Sequence, residues 1–252
     1  AIRLDGGHPV SHTGARGLLK VVDSSFTGFE SVIYARGSVE LYNTNITDND
    51  GLAVEVLGVF GVIPVYSGTT ITGRDAANHL VVDGCIVSAN GQRGLRYGSP
   101  YTAGVFAHAL NTVTIRRSTF ADNVCLGDTW GCAISVEAAS STKYGWPIAY
   151  IETELTISDC TIVRNSIVGG MTYVGAEGAG LWAVGGKSIV ITNTLIENNK
   201  ANTTVPDCPA GMPCASATSG DSYGGGVYIA GTRCELLSAN MYNIAGTKLT
   251  RA

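Results

Sequence analysis

Residues Val113–Asn123 read VTIRRSTFADN, and six other stretches of the chain follow the same eleven-residue pattern. Apolar residues occupy the first, third and eighth positions, the fifth is polar or small, the sixth is small, and the eleventh is Asn in five copies. The other copies begin at Leu19, Val39, Leu80, Leu155, Ile189 and Cys234. Columns that stay in register over so many copies indicate a repeat protein in which each copy forms one structural unit.

The copies are predicted to form β-strands rather than helices. Their first positions alternate with a period of two, Val, Ile and Thr are frequent, and no long segment has helical periodicity. A second motif, Gly followed by apolar, variable and apolar residues, begins at Gly51, Gly104, Gly131, Gly180 and Gly226. A strand whose copy returns one turn later pairs with it in parallel. The sequence therefore predicts an all-β parallel β-helix of about seven coils.

We expect these coils to form a single domain over residues 1–252. The spacing between copies varies, and in solenoids such insertions map to surface loops. The longest insertions lie near 66–78, 137–153 and 200–223. Because the chain begins with Ala1 rather than Met, we expect it to be a fragment or a processed part of a longer protein.

The eleventh position predicts a structural ladder. Its amides are Asn49, Asn90, Asn123, Asn165 and Asn199. A buried amide can hydrogen-bond to the same amide one coil above and below, which satisfies polar groups that would otherwise be costly to bury.

Two short motifs carry a resemblance to a known family. Phe120-Ala-Asp-Asn123 and the Gly-Gly-Gly-Val run at Gly224–Val227 are similar to the short repeats of polymorphic outer-membrane protein passengers. From Leu19 to Ile244 the chain resembles the right-handed parallel β-helix repeat family, which includes pectate-lyase-like proteins. The resemblance implies a right-handed, single-stranded β-solenoid. It implies no single activity, since these families include adhesins, tail spikes, lyases and epimerases.

Composition and charge exclude several classes of protein. With 45% hydrophobic residues the chain can bury a core, which argues against disorder. The formal net charge of -4 gives no basic surface for nucleic acid or for an anionic membrane. The longest apolar run, 51–66, is interrupted by Glu55 and Pro64 and is too short to span a bilayer.

The cysteines predict two local disulfides. Cys125 and Cys132, and likewise Cys208 and Cys214, enclose short turn-rich segments. Cys85 and Cys160 occupy the small sixth position two coils apart, too far to bridge, so we expect them to be buried thiols. A metal site is the alternative, but the Cys spacing is wrong for it and no His stands beside these residues, so no metal is expected.

Two sequons and the expected disulfides favour an extracellular or cell-surface location. The sequons begin at Asn45 and Asn202, which are candidate glycosylation sites. Disulfides form and persist in oxidising, mostly extracellular compartments.

One set of outward polar residues is a candidate catalytic cluster. Tyr42, Asp83 and Arg116 occupy the fourth position in three successive copies, and Glu40 precedes Tyr42 by two residues. A lyase or epimerase needs a base near the sugar C5 and a cation for its carboxylate, roles that Tyr42 and Arg116 would supply. The alternative is an ordinary solvent-exposed ion pair with no catalytic part.

Outward aromatic residues are the stronger sign of binding. Phe106, Trp182 and Tyr228 stand between the apolar residues of the second motif, and alternation directs them outward, while Trp146 lies in an insertion. They would form a strip that stacks on sugars or binds a partner. Alternatively, long insertions fold over them and bury them. The segment Thr47–Gly51 offers oxygen ligands for Ca²⁺, or forms an ordinary turn.

These observations favour a non-catalytic, extracellular β-helix module with a structural, adhesive or surface-assembly role. Its partners would be glycans or neighbouring subunits. The alternative is a polysaccharide-acting enzyme of the uronate lyase or epimerase type, or a descendant of one that only binds glycan. Outward carboxylates that could act in pairs do not recur across the copies, and this favours the first hypothesis.

Overall fold

The computed structural model of the chain describes residues 2–4, 17–58, 78–91, 102–126, 130–138, 153–168, 178–202, 225–231, 234–237, 240–242 and 248–251. Within these residues the chain forms β-strands and no helix. Trp146, Cys208 and Cys214, for which the sequence makes predictions, lie outside them. For Asn202 the described part is the backbone.

The strands follow one another in coils, and each coil passes through one copy of the eleven-residue pattern. The first coil contains β1 (Ile2–Leu4), β2 (Leu18–Val22) and β3 (Ser25–Phe26), and the second contains β4 (Ile33–Arg36), β5 (Ser38–Tyr42) and β6 (Asn45–Thr47). The third contains β7 (Val54–Leu57), β8 (His79–Asp83) and β9 (Ile86–Ser88). The fourth contains β10 (Val105–His108), β11 (Thr112–Arg116), β12 (Thr119–Ala121) and β13 (Val124–Leu126).

The later coils repeat this order. The fifth contains β14 (Ile134–Glu137), β15 (Thr153–Ser158), β16 (Thr161–Val163) and β17 (Ser166–Val168), and the sixth contains β18 (Leu181–Thr192), β19 (Leu195–Glu197) and β20 (Lys200–Asn202). The seventh contains β21 (Val227–Gly231), β22 (Cys234–Leu237) and β23 (Asn240–Tyr242), and β24 (Lys248–Arg251) adds one more strand.

All strand pairs are parallel and keep the copies in register. Val113 pairs with Leu80 on one side and with Leu155 on the other, so the first position of one copy meets the first position of the next. Within the described residues, the strands form sheets of fourteen, seven and three strands. The predicted parallel β-helix is confirmed.

The core runs along the axis of the rod. Leu41, Val82 and Ile115, third-position residues of successive copies, are fully buried neighbours in β5, β8 and β11. Alternation then directs the second and fourth positions outward from the fourteen-stranded sheet. We call these outward side chains, together with those of β4, β7, β10, β14 and β21, the front face.

Glycine is required where successive coils approach closely. A Cβ on Gly104 would collide with the carbonyl oxygen of Ala133 in the next coil, and one on Gly180 would lie 2.5 Å from the carbonyl oxygen of Gly226. The second motif therefore begins with Gly because its backbone packs directly against another backbone.

In each of the first six copies, two corners are formed by single residues with positive φ. At the fifth position these are Asp23, Asn43, Gly84, Arg117, Asp159 and Asn193, and at the tenth they are Gly28, Asp48, Ala89, Asp122, Arg164 and Asn198. The small sixth-position side chain bridges the first corner, since Thr44 Oγ1 donates to Tyr42 O at 2.9 Å and Ser118 Oγ to Arg116 O at 2.7 Å. Cys160 Sγ makes the same contact with Ser158 O at 3.0 Å. A Cys at this position thus replaces a hydroxyl donor.

The predicted asparagine ladder is confirmed. The Nδ2 atoms of Asn49, Asn90, Asn123 and Asn165 each donate to Oδ1 of the next asparagine, at 2.9, 3.0, 2.8 and 2.8 Å. Each Oδ1 also accepts the backbone N–H of the preceding ladder residue, as in Asn90 N to Asn123 Oδ1 at 3.2 Å. The second amide hydrogen reaches a carbonyl oxygen, as in Asn123 Nδ2 to Val87 O at 3.0 Å. The amide groups of Asn49, Asn90, Asn123 and Asn165 are therefore fully hydrogen-bonded.

In the part of the chain that the structure describes, no helix has the length and apolarity needed to cross a membrane.

Candidate functional site

The predicted catalytic cluster lies together on the front face. Tyr42 pairs in register with Asp83, and Asp83 pairs with Arg116, in the adjacent strands β5, β8 and β11. Glu40 lies two residues before Tyr42 and points to the same side. The sequence therefore placed these four residues correctly relative to one another.

Asp83 is held by two arginines rather than one. Arg116 Nε donates to Asp83 Oδ2 at 2.9 Å, and Arg117 donates through Nε to Oδ1 at 2.8 Å and through a terminal nitrogen to Oδ2 at 2.7 Å. The Asp83 side chain is only 4% exposed. An ordinary solvent-exposed pair was the expected alternative, and the structure instead buries the carboxylate with both oxygens occupied. Both carboxylate oxygens thus accept hydrogen bonds from guanidinium groups of the protein itself.

Arg117 was missed because it occupies a corner position. In the other described copies the fifth position holds Asp, Asn or Gly, residues that tolerate positive φ, whereas Arg117 adopts a φ of 50°. The corner directs its side chain back over Asp83, and the hydrogen bonds to that carboxylate raise the pKa of Arg117. An arginine at a position that otherwise favours Asn, Asp or Gly is the signal that could have revealed it.

Glu40 is the centre of a second group of contacts. Tyr42 Oη donates to Glu40 Oε2 at 3.4 Å, His79 Nε2 lies 3.2 Å from Oε1, and Lys20 Nζ lies 3.7 Å from Oε2. The Lys20 ammonium also stands over the Tyr42 ring, 5.0 Å from its centroid. His79 immediately precedes its copy, so the period-two pattern, extended by one residue, places it on the front face.

A further row lies on the strands that precede the copies. Glu55 in β7 stands in register between Tyr34 of β4 and Phe106 of β10. Burial raises the pKa of the Glu55 carboxyl, and the nearby Arg36 partly opposes this. Arg36 Nε donates to Tyr34 Oη at 3.1 Å, and the rings of Phe106 and His108 are stacked 6.2 Å apart. This row combines rings with hydrogen-bonding groups.

The three predicted outward aromatics differ in how they are covered. Trp182 points outward between Leu181 and Ala183, which are in the core, yet it is only 6% exposed. Its ring is stacked between Trp130, at 5.4 Å and 13°, and Tyr228, at 6.4 Å and 11°. Both faces of Trp182 are therefore occupied, and it does not offer the open platform for a sugar that the sequence suggested. Phe106 and Tyr228 are half-buried.

A family model described as a right-handed β-helix region matches residues 10–240. The chain belongs to this right-handed β-helix family. Comparisons with curated proteins and with solved structures give no match. The resemblance to β-helix repeats is thus confirmed at the level of the family and the fold, and the activity of this β-helix has to be argued from its own side chains.

This β-helix carries the disulfide predicted between Cys125 and Cys132, with Cα atoms 5.6 Å apart. Both cysteines are fully buried, in a small cluster with Ala103, Ile167 and Ala179 beside the main core. The loop that the disulfide closes carries Trp130, so the same cross-link fixes the ring that covers Trp182.

Cys85 and Cys160 are free and buried, as predicted. Burial raises the pKa of the Cys160 thiol to about 11, and burial also raises the pKa of Cys85. Such thiols are poor nucleophiles at neutral pH.

The described residues of this β-helix contain no group of three or more His, Cys, Asp or Glu side chains that could hold a metal ion. In the segment Thr47–Gly51, Asn49 belongs to the ladder and Asp48 forms a corner with a φ of 52°. These two residues therefore have structural roles of their own.

Proposed function

We propose that this β-helix is a non-catalytic module of an extracellular or cell-surface protein, with a structural or adhesive role. In this proposal its front face binds glycans or a neighbouring subunit. The observation that carries the proposal is the buried Asp83 carboxylate held by Arg116 and Arg117. Asp83, the more buried of the two carboxylates in the candidate cluster, is held in an ion pair. Such a pair is typical of a binding or structural surface.

The contacts of Glu40 also favour a non-catalytic face. Its two oxygens already have the Tyr42 hydroxyl, the His79 ring and the Lys20 ammonium as neighbours. In this arrangement the Tyr42 hydroxyl is directed at a carboxylate of the protein itself. A network of polar side chains that hydrogen-bond or pair with one another makes a surface more rigid. It leaves none of these groups available for a reaction.

The extracellular part of the proposal is supported by the Cys125–Cys132 disulfide. Such cross-links persist in oxidising compartments and are rare in the cytosol. The glycan-binding part is supported by the Tyr34–Glu55–Phe106 row, since sugar sites combine aromatic rings with a few polar groups that fix orientation.

A glycan-array screen tests the binding part of this proposal. The wild type is compared with Tyr34→Ala and Phe106→Ala on the front face, and with Thr161→Ala on the seven-stranded sheet as the matched control. We expect the two front-face variants to lose at least tenfold in affinity for the glycans that the wild type binds, and the control to be unchanged. Equal binding by all four proteins would place recognition elsewhere and contradict this part of the proposal.

The second candidate function is that of a uronate lyase or epimerase, and the contact between Glu40 and His79 favours it. A carboxylate 3.2 Å from one imidazole nitrogen orients the ring, as at many catalytic sites. The wild type and His79→Ala are incubated with uronate polymers, and the absorbance of unsaturated products is followed for the lyase reaction. Products that accumulate with the wild type and not with His79→Ala would replace the non-catalytic proposal.

A further inference from the structure

The outward side chains of the seven-stranded sheet form a second surface of the rod, which we call the side face. They occupy the seventh and ninth positions of the copies. In the first six copies the seventh-position residues are Ser25, Asn45, Ile86, Thr119, Thr161 and Leu195. All of them are uncharged, and the sequon that begins at Asn45 lies on this face.

Asn45 and Thr47 leave β6 on the same side. Ile46 between them is fully buried in the core, and side chains in a strand alternate, so Asn45 and Thr47 both point outward. Asn45 is exposed and Thr47 is half-buried. The two residues that a sequon requires, the acceptor amide and the hydroxyl two residues later, thus face solvent together.

Among the described residues, the Asn45 side chain differs from the ladder asparagines in having no hydrogen-bond partner. Each ladder amide is buried and hydrogen-bonded to its neighbours, and Asn43 donates to Asp23 Oδ1 at 3.1 Å. The Asn45 backbone N–H donates to Ser24 O at 2.8 Å, whereas its carboxamide makes no hydrogen bond with any residue that the structure describes. A substituent on Nδ2 therefore breaks no hydrogen bond within the described part of the chain.

The neighbours of Asn45 leave room for a sugar. In register on either side are Ser25 and Ile86, with Ser25 exposed and Ile86 43% exposed. A strand spacing of about 4.8 Å brings the apolar side chain of Ile86 within reach of the first sugar of a glycan attached to Asn45. A pyranose ring has an apolar face, so Ile86 gives this sugar a surface to rest on.

We propose that Asn45 is an N-glycosylation site whose glycan lies over Ile86 on the side face. In the reaction, Nδ2 of Asn45 forms a bond to C1 of an oligosaccharide carried on a lipid diphosphate. The bond between C1 and the diphosphate oxygen breaks, the lipid diphosphate leaves, and Nδ2 loses one proton. The inference rests on the secretion assumed in the proposed function, and it concerns a different face of the rod from the proposed binding surface.

The test is expression of the full chain behind a secretory signal in eukaryotic cells, followed by intact-mass and glycopeptide analysis of the secreted protein. We expect a glycan on Asn45, removed by peptide N-glycosidase with conversion of Asn45 to Asp. Asn45→Gln and Thr47→Ala should each lose that glycan, while Thr47→Ser, which preserves the sequon, should keep it. Secreted, folded protein with an unmodified Asn45 would overturn the inference.

Two comparisons connect the glycan to the side face and separate this inference from the proposed function. Enzymatic removal of the glycan should lower the melting temperature, and the decrease should be smaller in Ile86→Ser, which removes the apolar contact. An equal decrease in both proteins would refute the placement over Ile86. Asn45→Gln should leave front-face glycan binding unchanged, so a failed glycan array contradicts the proposed function and not the modification.

Discussion

The asparagine ladder predicts a large and position-dependent loss of stability when one member is removed. The change is Asn123→Ala, in the middle of the ladder. The substitution deletes two hydrogen bonds made by Asn123 Nδ2, to Asn165 Oδ1 and to Val87 O, and two accepted by its Oδ1, from the backbone N–H and the Nδ2 of Asn90. We expect Asn123→Ala to destabilise the rod by several kcal/mol.

The magnitude follows from the donors that are left behind. The Asn90 backbone N–H and one Asn90 amide hydrogen lose their acceptor, and Asn90 is fully buried, so water cannot replace it. Each orphaned buried donor costs about 1–3 kcal/mol. The sum is about 2–6 kcal/mol, measured as the change in the free energy of unfolding by urea denaturation followed by circular dichroism. Asn165 Oδ1 still accepts the backbone N–H of residue 123, so it adds little.

Asn49→Ala is the matched control, because it deletes the same side-chain atoms at the start of the ladder. The only donor it orphans among the described residues is the backbone N–H of Phe29, and Phe29 is 37% exposed, so water can reach this position. We expect a decrease of about 1–2 kcal/mol, smaller than for Asn123→Ala. Equal losses in the two variants would refute the argument that orphaned buried donors, rather than lost side-chain volume, set the cost.

Three further predictions concern titration, the disulfide and the buried thiol. Because the pKa of Glu55 is raised in the folded state, its ionisation destabilises the fold at neutral pH. Glu55→Gln should therefore melt at a higher temperature than the wild type at pH 7, and the difference should vanish below about pH 4, where the carboxyl is protonated in both states; a lower melting temperature at pH 7 would contradict this. Replacing Cys125 and Cys132 together with Ser should cost about 2–3 kcal/mol in the free energy of unfolding, since the cross-link closes a short loop with a sequence separation of 7. The same change should weaken the near-ultraviolet dichroism of the Trp130 stack, and an unaltered spectrum would show that the disulfide does not hold that ring. Cys160, with a thiol pKa of about 11, should resist alkylation at pH 8 until the protein is denatured, and rapid labelling of the native protein would contradict its burial.

The rod could be predicted from the sequence because its determinants recur from coil to coil. The small sixth position and the alternating strands recur in all seven copies and the Asn column in five, so weak signals from successive copies reinforce one another. The arrangement of Tyr42, Asp83 and Arg116 followed directly, since register in a β-helix is set by the copies. The hydrogen bond from the sixth-position side chain to the carbonyl two residues earlier could not be predicted. The sequence shows only that this side chain is small, and small size alone does not indicate a hydrogen bond.

The contacts of the candidate site could be predicted less well, because they depend on side chains that break the pattern. Arg117 reaches Asp83 only because a positive-φ corner directs it there, and no other described copy has Arg at that position. Trp130 covers Trp182 across coils, from a loop closed by a disulfide. The alternation of side chains along the strand correctly predicts that Trp182 points outward. It cannot predict that Trp130, from another segment, stacks on it.

The corners of the rod also divide the chain into places that accept extra residues and places that do not. β5 begins at Ser38, just after β4 ends at Arg36, whereas β8 begins at His79 although β7 ends at Leu57. By contrast, the two strands within each copy are always close together, and the second begins three residues after the last residue of the first. For example, β5 ends at Tyr42 and β6 begins at Asn45, and β11 ends at Arg116 and β12 begins at Thr119. One added residue at such a corner would move the asparagine column out of line with its neighbours. The β-helix is therefore a ready scaffold for display, in which a foreign peptide is grafted between β7 and β8 while the ladders remain as they are.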